Sequence, residues 1–133
     1  MEQITLLLVT GEPGLHRGLQ MRLEVEPGFA VIGESGDLGD VTRLAGELAP
    51  QVIVLDADLP SGPEAAVELV RSLSRRHRLV VLSLEDGVAA AATMLAAGAT
   101  AFVRKHDRSE RLIAAIRTAA STVTSASPGE EPR

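Results

Sequence analysis

Several apolar runs of this sequence are followed closely by polar residues whose side chains could bind or transfer an anionic group. Glu12, Asp56, Ser83 and Lys105 are the four that bear on chemistry. If those runs are parallel strands of one sheet, their carboxyl ends converge on one crevice. There Lys105 can neutralise charge on or near Asp56, and Ser83 can donate a hydrogen bond to an oxyanion. The residue types therefore favour an anion site or a phosphoryl-transfer site.

The run from Val52 to Leu55 is the element that the other runs must be placed around. It is unbroken and rich in β-branched residues, which is typical of a strand buried on both faces beneath helices. Asp56 follows it directly and would lie at the carboxyl end of the strand, where ligands bind in open α/β sheets. The alternative is that Asp56 simply begins a turn, since Asp and Pro are common loop residues.

Strand-like and helix-like stretches alternate five times along the chain. This alternation predicts an α/β fold, a single doubly wound five-stranded parallel sheet with helices on both faces. We expect strands at residues 4–9, 29–32, 52–55, 79–84 and 101–103. We expect helices at residues 13–26 and 40–48, with Asp40 as the N-cap of the second. A third helix should follow the turn Ser61-Gly62-Pro63 and close with the basic cluster at 75–78, and two more are expected at 88–97 and 109–123.

The chain is predicted to contain one folded domain, residues 1–120, followed by a tail. Residues 121–133 are rich in Ser, Thr, Pro and Glu and offer little to bury, so we expect a disordered tail or an interdomain linker.

Composition excludes several classes of function. The formal net charge is -5, with 13 Lys and Arg against 18 Asp and Glu, which argues against direct nucleic-acid binding. The sequence contains no cysteine, so disulfides and thiolate metal sites are excluded. The N-terminal apolar run is too short for a signal peptide or a membrane span, so we expect a cytoplasmic protein without membrane contact.

Several short motifs, in this order and spacing, resemble the receiver domains of two-component response regulators. The resemblance is nearest to the NarL/FixJ (LuxR-type) subfamily, covers about residues 4–120, and implies the flavodoxin-like receiver fold. The motifs are Pro13 with His16-Arg17-Gly18-Leu19, Val54-Leu55-Asp56 with Leu59-Pro60, Leu82-Ser83, Ala96-Ala97-Gly98-Ala99 and Phe102-Val103-Arg104-Lys105.

The resemblance also implies roles for individual residues. Asp56 corresponds to the phosphoacceptor, Ser83 to the hydroxyl that binds phosphoryl oxygens, Phe102 to the aromatic switch residue, and Lys105 to the cation that contacts the phosphoaspartate. A histidine kinase would be the phosphoryl donor. The protein would be a non-enzymatic regulator of transcription whose output or DNA-binding domain lies outside this segment, and a homodimer is expected from the family alone.

The sequence departs from the family at its metal site. Thr10-Gly11 replaces the two consecutive acidic residues that hold Mg²⁺ in receiver domains. The remaining metal ligands would be Asp56, the carbonyl of Asp58 and Glu12, which stands one position late. We therefore expect an atypical receiver with weak or absent Mg²⁺-dependent phosphorylation and no other cofactor.

Two further hypotheses remain open. One is a phosphorylation-independent pseudo-receiver that binds a protein or a small molecule at the degenerate pocket, with Lys105 and Asp56 forming only a structural salt bridge. The other is a flavin- or nucleotide-binding enzyme on the same wound sheet. The spacing of Gly33, Gly36 and Gly39 lacks the close first pair of the dinucleotide motif, so it supports that enzyme weakly. The three histidines are expected at the surface.

Overall fold

The computed structural model describes residues 3–58, 60–84 and 88–126. The strands are β1 (Ile4–Val9), β2 (Phe29–Ser35), β3 (Val52–Asp56), β4 (Arg78–Ser83) and β5 (Ala101–Arg104). The helices are α1 (Pro13–Glu24), α2 (Leu38–Leu48), α3 (Pro63–Leu73), α4 (Val88–Ala97) and α5 (Ser109–Ala126).

All five strands pair in parallel, in the order β2-β1-β3-β4-β5. Because successive strand residues point to opposite faces, the apolar runs supply two cores at once. On one face Leu7 and Ile53 pack with α2, α3 and α4, and on the other Leu6 and Val54 pack with α1 and α5. The predicted fold is confirmed, and β3 is buried along its whole length.

Several predicted boundaries shift. Helix α1 ends at Glu24 rather than at residue 26, and β2 extends to Ser35. The prediction of Asp40 as an N-cap is wrong, because α2 begins at Leu38 and the carboxylate of Asp37 accepts a hydrogen bond from the backbone N–H of Gly39. Asp37 and Asp40 are both suitable N-cap types, and the longer β2 fixes which of them precedes the first turn.

The last helix also continues past its predicted end. The helix predicted to end at residue 123 runs to Ala126, so residues 121–126, which the predicted tail included, are the last six residues of α5. Once a helix has begun, each added residue forms one more backbone hydrogen bond, so Ser and Thr extend it although their helix propensity is modest. Residues 127–133, the remainder of the predicted tail, lie outside the described residues.

The turn between α4 and β5 depends on glycine at position 98. Gly98 has φ +119, and a Cβ atom there would collide with the Oγ and Cβ atoms of Ser74. We expect Gly98→Ala to lower the free energy of unfolding by about 1–3 kcal/mol, because a strained backbone residue costs about that much. Chemical denaturation of both proteins measures the loss.

Gly46→Ala is the matched control for this substitution. Gly46 lies in α2, and nothing would lie within 4 Å of an added Cβ atom. Alanine is favoured over glycine in a helix by roughly 0.8–1.0 kcal/mol, so this variant should be as stable as the wild type or more stable. An equal loss of stability in both variants would contradict the role given to Gly98.

Candidate functional site

The carboxyl ends of four strands bring the candidate residues to one edge of the sheet. Asp56 ends β3, Ser83 ends β4, and Lys105 follows β5. A backbone hydrogen bond of 2.8 Å from the N–H of Lys105 to the carbonyl of Ser83 holds the last two together. Thr10 follows β1, and Glu12 is the N-cap residue of α1.

Lys105 is the centre of this site. Its Nζ atom lies 2.8 Å from Oδ1 of Asp56, 3.0 Å from Oδ2 of Asp58 and 3.3 Å from Oε1 of Glu12. The side chains of Lys105 and Asp56 are buried, whereas that of Glu12 is 56% exposed. The ion pair that the sequence suggested between Lys105 and Asp56 is present, and it forms out of contact with bulk water.

The neighbouring carboxylates raise the pKa of Lys105 by more than burial lowers it. Burial by itself lowers the pKa of Lys105, but hydrogen bonds and charge interactions with Asp56 and Asp58 raise it above its ordinary value of 10.5. Lys105 is therefore a permanent cation at physiological pH.

Asp58 contributes its side chain to the site rather than the carbonyl alone. Its Oδ2 atom accepts a 2.7 Å hydrogen bond from the backbone N–H of Leu84, and its Oδ1 atom accepts a long one, 3.4 Å, from Oγ of Ser83. With Lys105, three donors surround this carboxylate. The sequence did not predict that role, because it depends on how the loop after β3 folds back.

The carboxylate of Asp56 is held by Lys105 and by the backbone of Asp58. Its Oδ1 atom accepts a 2.8 Å hydrogen bond from the backbone N–H of Asp58 as well as the ammonium of Lys105. Its Oδ2 atom is buried and accepts no hydrogen bond within the described residues. A buried oxygen without a partner is uncommon and marks a place where an external group is expected.

The residues at this edge nevertheless fit Mg²⁺ poorly. Mg²⁺ requires an octahedron of oxygen ligands, but the carboxylates of Asp56, Asp58 and Glu12 converge on the ammonium of Lys105. Among residues 3–58, 60–84 and 88–126, no group of three His, Cys, Asp or Glu side chains could hold a metal ion.

A chain of hydrogen bonds begins at Thr10, one of the two residues that replace the acidic pair expected from the resemblance to receiver domains. Oγ1 of the buried Thr10 lies 2.9 Å from Nδ1 of His16, and Nε2 of His16 lies 2.8 Å from Oε1 of Glu34. The side chain of His16 is only 22% exposed, although a surface position was expected. The sequence carried no signal for this contact, since it requires the ends of β1 and β2 to lie beside the first turn of α1.

Phe102 is partly buried against the core formed with α2, α3 and α4. Its ring lines a cavity of about 420 Å³. Asp58, Ser83 and Met94 also line this cavity, so it lies beside the hydrogen bonds of Asp58. The cavity thus joins the Ser83 end of β4 to the surroundings of Phe102.

Comparison with known proteins identifies the family. Residues 6–117 match the family model of the response regulator receiver domain. The chain belongs to this family. The resemblance inferred from short motifs is thereby confirmed, and the interpretation as a flavin- or nucleotide-binding enzyme has no support from this match.

Relatives of this receiver domain include regulators of the NarL/LuxR type. The transcriptional regulatory protein LiaR of Bacillus subtilis (strain 168) is 33% identical over 118 residues, 87% of this chain and 56% of LiaR. The nitrate/nitrite response regulator protein NarL of Escherichia coli (strain K12) is 30% identical over 122 residues, 90% of this chain and 56% of NarL. The chain thus spans about half the length of these curated relatives.

A solved structure supports the same placement of the receiver domain. A two-component response regulator of the LuxR family from Aurantimonas sp. SI85-9A1 has a TM-score of 0.84 and 27% identity, covering 91% of this chain and 87% of that chain.

Across the described part of the receiver domain, no helix is both long enough and apolar enough to cross a membrane.

Proposed function

We propose that this receiver domain regulates transcription through an output domain outside the segment and that Asp56 accepts a phosphoryl group from a histidine kinase. The names of LiaR and NarL support the regulatory part of this proposal. The observation that carries the chemical part is the buried Asp56 carboxylate at the carboxyl end of β3, paired at 2.8 Å with the ammonium of Lys105.

The proposed step is the transfer of a phosphoryl group between two nucleophiles. A carboxylate oxygen of Asp56 forms a bond to phosphorus while the bond from phosphorus to the donor histidine nitrogen breaks, and the histidine leaves with the electron pair of that bond. Lys105 and the hydroxyl of Ser83 stabilise the negative charge on the phosphoryl oxygens during transfer. Phosphorylation then acts as a local charge change that biases the ends of β4 and β5.

Acetyl phosphate labelling tests whether Asp56 is the acceptor. We expect intact-protein mass spectrometry to show one added phosphoryl group on the wild type after prolonged incubation, and none on Asp56→Asn, because an amide lacks the nucleophilic carboxylate. Asp40→Asn is the control, since Asp40 lies on the surface of α2 and pairs only with Arg43 among the described residues. It should be labelled like the wild type.

Two results would overturn the assignment of Asp56. Equal labelling of Asp56→Asn and the wild type would place the phosphoryl group on another residue. No labelling of the wild type and of Asp58→Ala, even at long times, would instead favour a receiver that works without phosphorylation. In that case the cavity beside Phe102 and Ser83 would be the place to search for a ligand.

A further inference from the structure

The carboxylate of Asp58 occupies a cradle of three hydrogen-bond donors. The backbone N–H of Leu84 lies 2.7 Å from Oδ2, the ammonium of Lys105 lies 3.0 Å from the same oxygen, and Oγ of Ser83 lies 3.4 Å from Oδ1. Charge-assisted hydrogen bonds of this kind are stronger than neutral ones. An N–H, an O–H and an ammonium that converge in this way form a binding site for an anionic group.

A tight turn puts Asp58 into that cradle. The N–H of Asp58 donates a 2.8 Å hydrogen bond to Oδ1 of Asp56, which folds the chain back at the end of β3. The side chain of Asp58 therefore reaches across to the end of β4 instead of pointing away from the sheet. The two carboxylates share Lys105, whose Nζ atom lies 2.8 Å from Asp56 and 3.0 Å from Asp58.

A phosphoryl group on Asp56 would need the same donors. It would add three acceptor oxygens to the Asp56 carboxylate, and Lys105 and Ser83 are the groups proposed above to bind them. Asp58 already accepts hydrogen bonds from both residues. The two anionic groups cannot occupy one set of donors together, since like charges at contact distance repel one another strongly in a buried site.

We propose that the Asp58 carboxylate is an intramolecular occupant of the phosphoryl-oxygen site. In this state it competes with phosphorylation of Asp56 and holds Ser83, Leu84 and Lys105 in an anion-bound arrangement without any phosphoryl group. The inference deepens the proposed function and rests on it where it concerns competition with phosphorylation. The occupancy of the cradle is a separate claim and can be tested without phosphorylation.

The first test compares the initial rates of labelling by acetyl phosphate. In the reaction an Asp56 oxygen bonds to phosphorus and acetate leaves with the electrons of the broken P–O bond. Asp58→Ala should be labelled about tenfold faster than the wild type, the factor that one charge-assisted hydrogen bond is worth. Asp56→Asn/Asp58→Ala should remain unlabelled, which excludes labelling at a new site.

Asp40→Asn is the control for the loss of one negative charge. Asp40 lies on α2, outside the site, and its carboxylate pairs with Arg43 at 2.6 Å on the surface of that helix. Because exposed ion pairs are weak, its labelling rate should change less than about threefold. An equal acceleration by Asp40→Asn and Asp58→Ala would show that removal of any negative charge is sufficient and would overturn the proposed occupancy.

The second test measures amide hydrogen exchange at Leu84 by NMR. Loss of the Asp58 acceptor should speed exchange of the Leu84 amide by about tenfold in Asp58→Ala, and Asp40→Asn should leave it unchanged. Unchanged exchange in Asp58→Ala would overturn the inference.

The two readouts separate failure of the inference from failure of the proposed function. If the wild type is labelled on Asp56 as fast as Asp58→Ala, the inference fails and the proposed phosphoacceptor stands. If neither protein is labelled but Leu84 exchange responds to Asp58→Ala, Asp58 occupies the cradle and the assignment of Asp56 as phosphoacceptor fails.

Discussion

Lys105→Met should lower the free energy of unfolding by about 3–5 kcal/mol, because it leaves the buried carboxylate of Asp56 without a counter-ion. The Asp56 side chain is fully buried, and that of Lys105 is only 5% exposed. Methionine preserves much of the apolar stem, so the lost charge dominates the effect. Chemical denaturation at neutral pH, followed by circular dichroism, measures the difference.

Arg104→Met is the matched control for this prediction. Arg104 is the neighbouring residue, and its ion pair with Asp107 is about half exposed on the arginine side. Exposed pairs contribute about 0–1 kcal/mol, so the control should lose little stability. In Lys105→Met/Asp56→Asn much of the loss should be recovered, because no unpaired Asp56 charge remains. A loss as small in Lys105→Met as in Arg104→Met would contradict the importance of this pair.

The sign of the pH dependence follows from the pKa of Lys105. That pKa is raised above its ordinary value of 10.5 in the folded protein. The folded state therefore retains the proton more strongly than the unfolded chain, so the contribution to stability is fully present below pH 10.5. It is lost as the pH rises through the folded-state pKa. The difference between wild type and Lys105→Met should thus be constant between pH 7 and pH 9, within the range where the lysine is charged in both states.

Introducing the missing acidic pair should have the largest effect on chemistry. We expect Thr10→Asp/Gly11→Asp to make labelling of Asp56 by acetyl phosphate depend on Mg²⁺, with a rate about a hundredfold higher in Mg²⁺ than in a chelator. A metal ion is worth several kcal/mol of charge stabilisation during phosphoryl transfer, which corresponds to a factor of this size. The wild type should show the same slow rate under both conditions, since its carboxylates converge on Lys105.

A charge-matched variant controls for the two added carboxylates. Gly14→Asp/Gly18→Asp places them on α1, where nothing would lie within 4 Å of either added Cβ atom. This protein should remain insensitive to Mg²⁺. A wild type that is already accelerated by Mg²⁺ would contradict the poor fit of the site to the metal, and Glu12→Gln would then show whether Glu12 supplies the ligand.

The fold and most of the candidate phosphoryl site could be predicted from the sequence alone. Apolar runs without polar alternation specify strands buried on both faces, and their regular spacing with helices specifies a parallel sheet. Because all parallel strands end at one edge, the positions of Asp56, Ser83 and Lys105 along the chain were enough to predict that they meet. The observed ion pair between Asp56 and Lys105 follows from that arrangement.

The contacts of the remaining polar groups could not be predicted from the sequence. Asp58 follows β3 in a turn, and its side chain lies against the N–H of Leu84 because of a hydrogen bond from its own N–H to Asp56. His16 joins Thr10 to Glu34 because two strand ends lie beside one helix turn. Hydrophobic periodicity fixes which face a strand or helix buries, but the direction of a polar side chain in a loop depends on partners that are distant in sequence. The sequence was therefore sufficient to predict which residues lie at the strand ends, but it was not sufficient to predict the partners of Asp58 and His16.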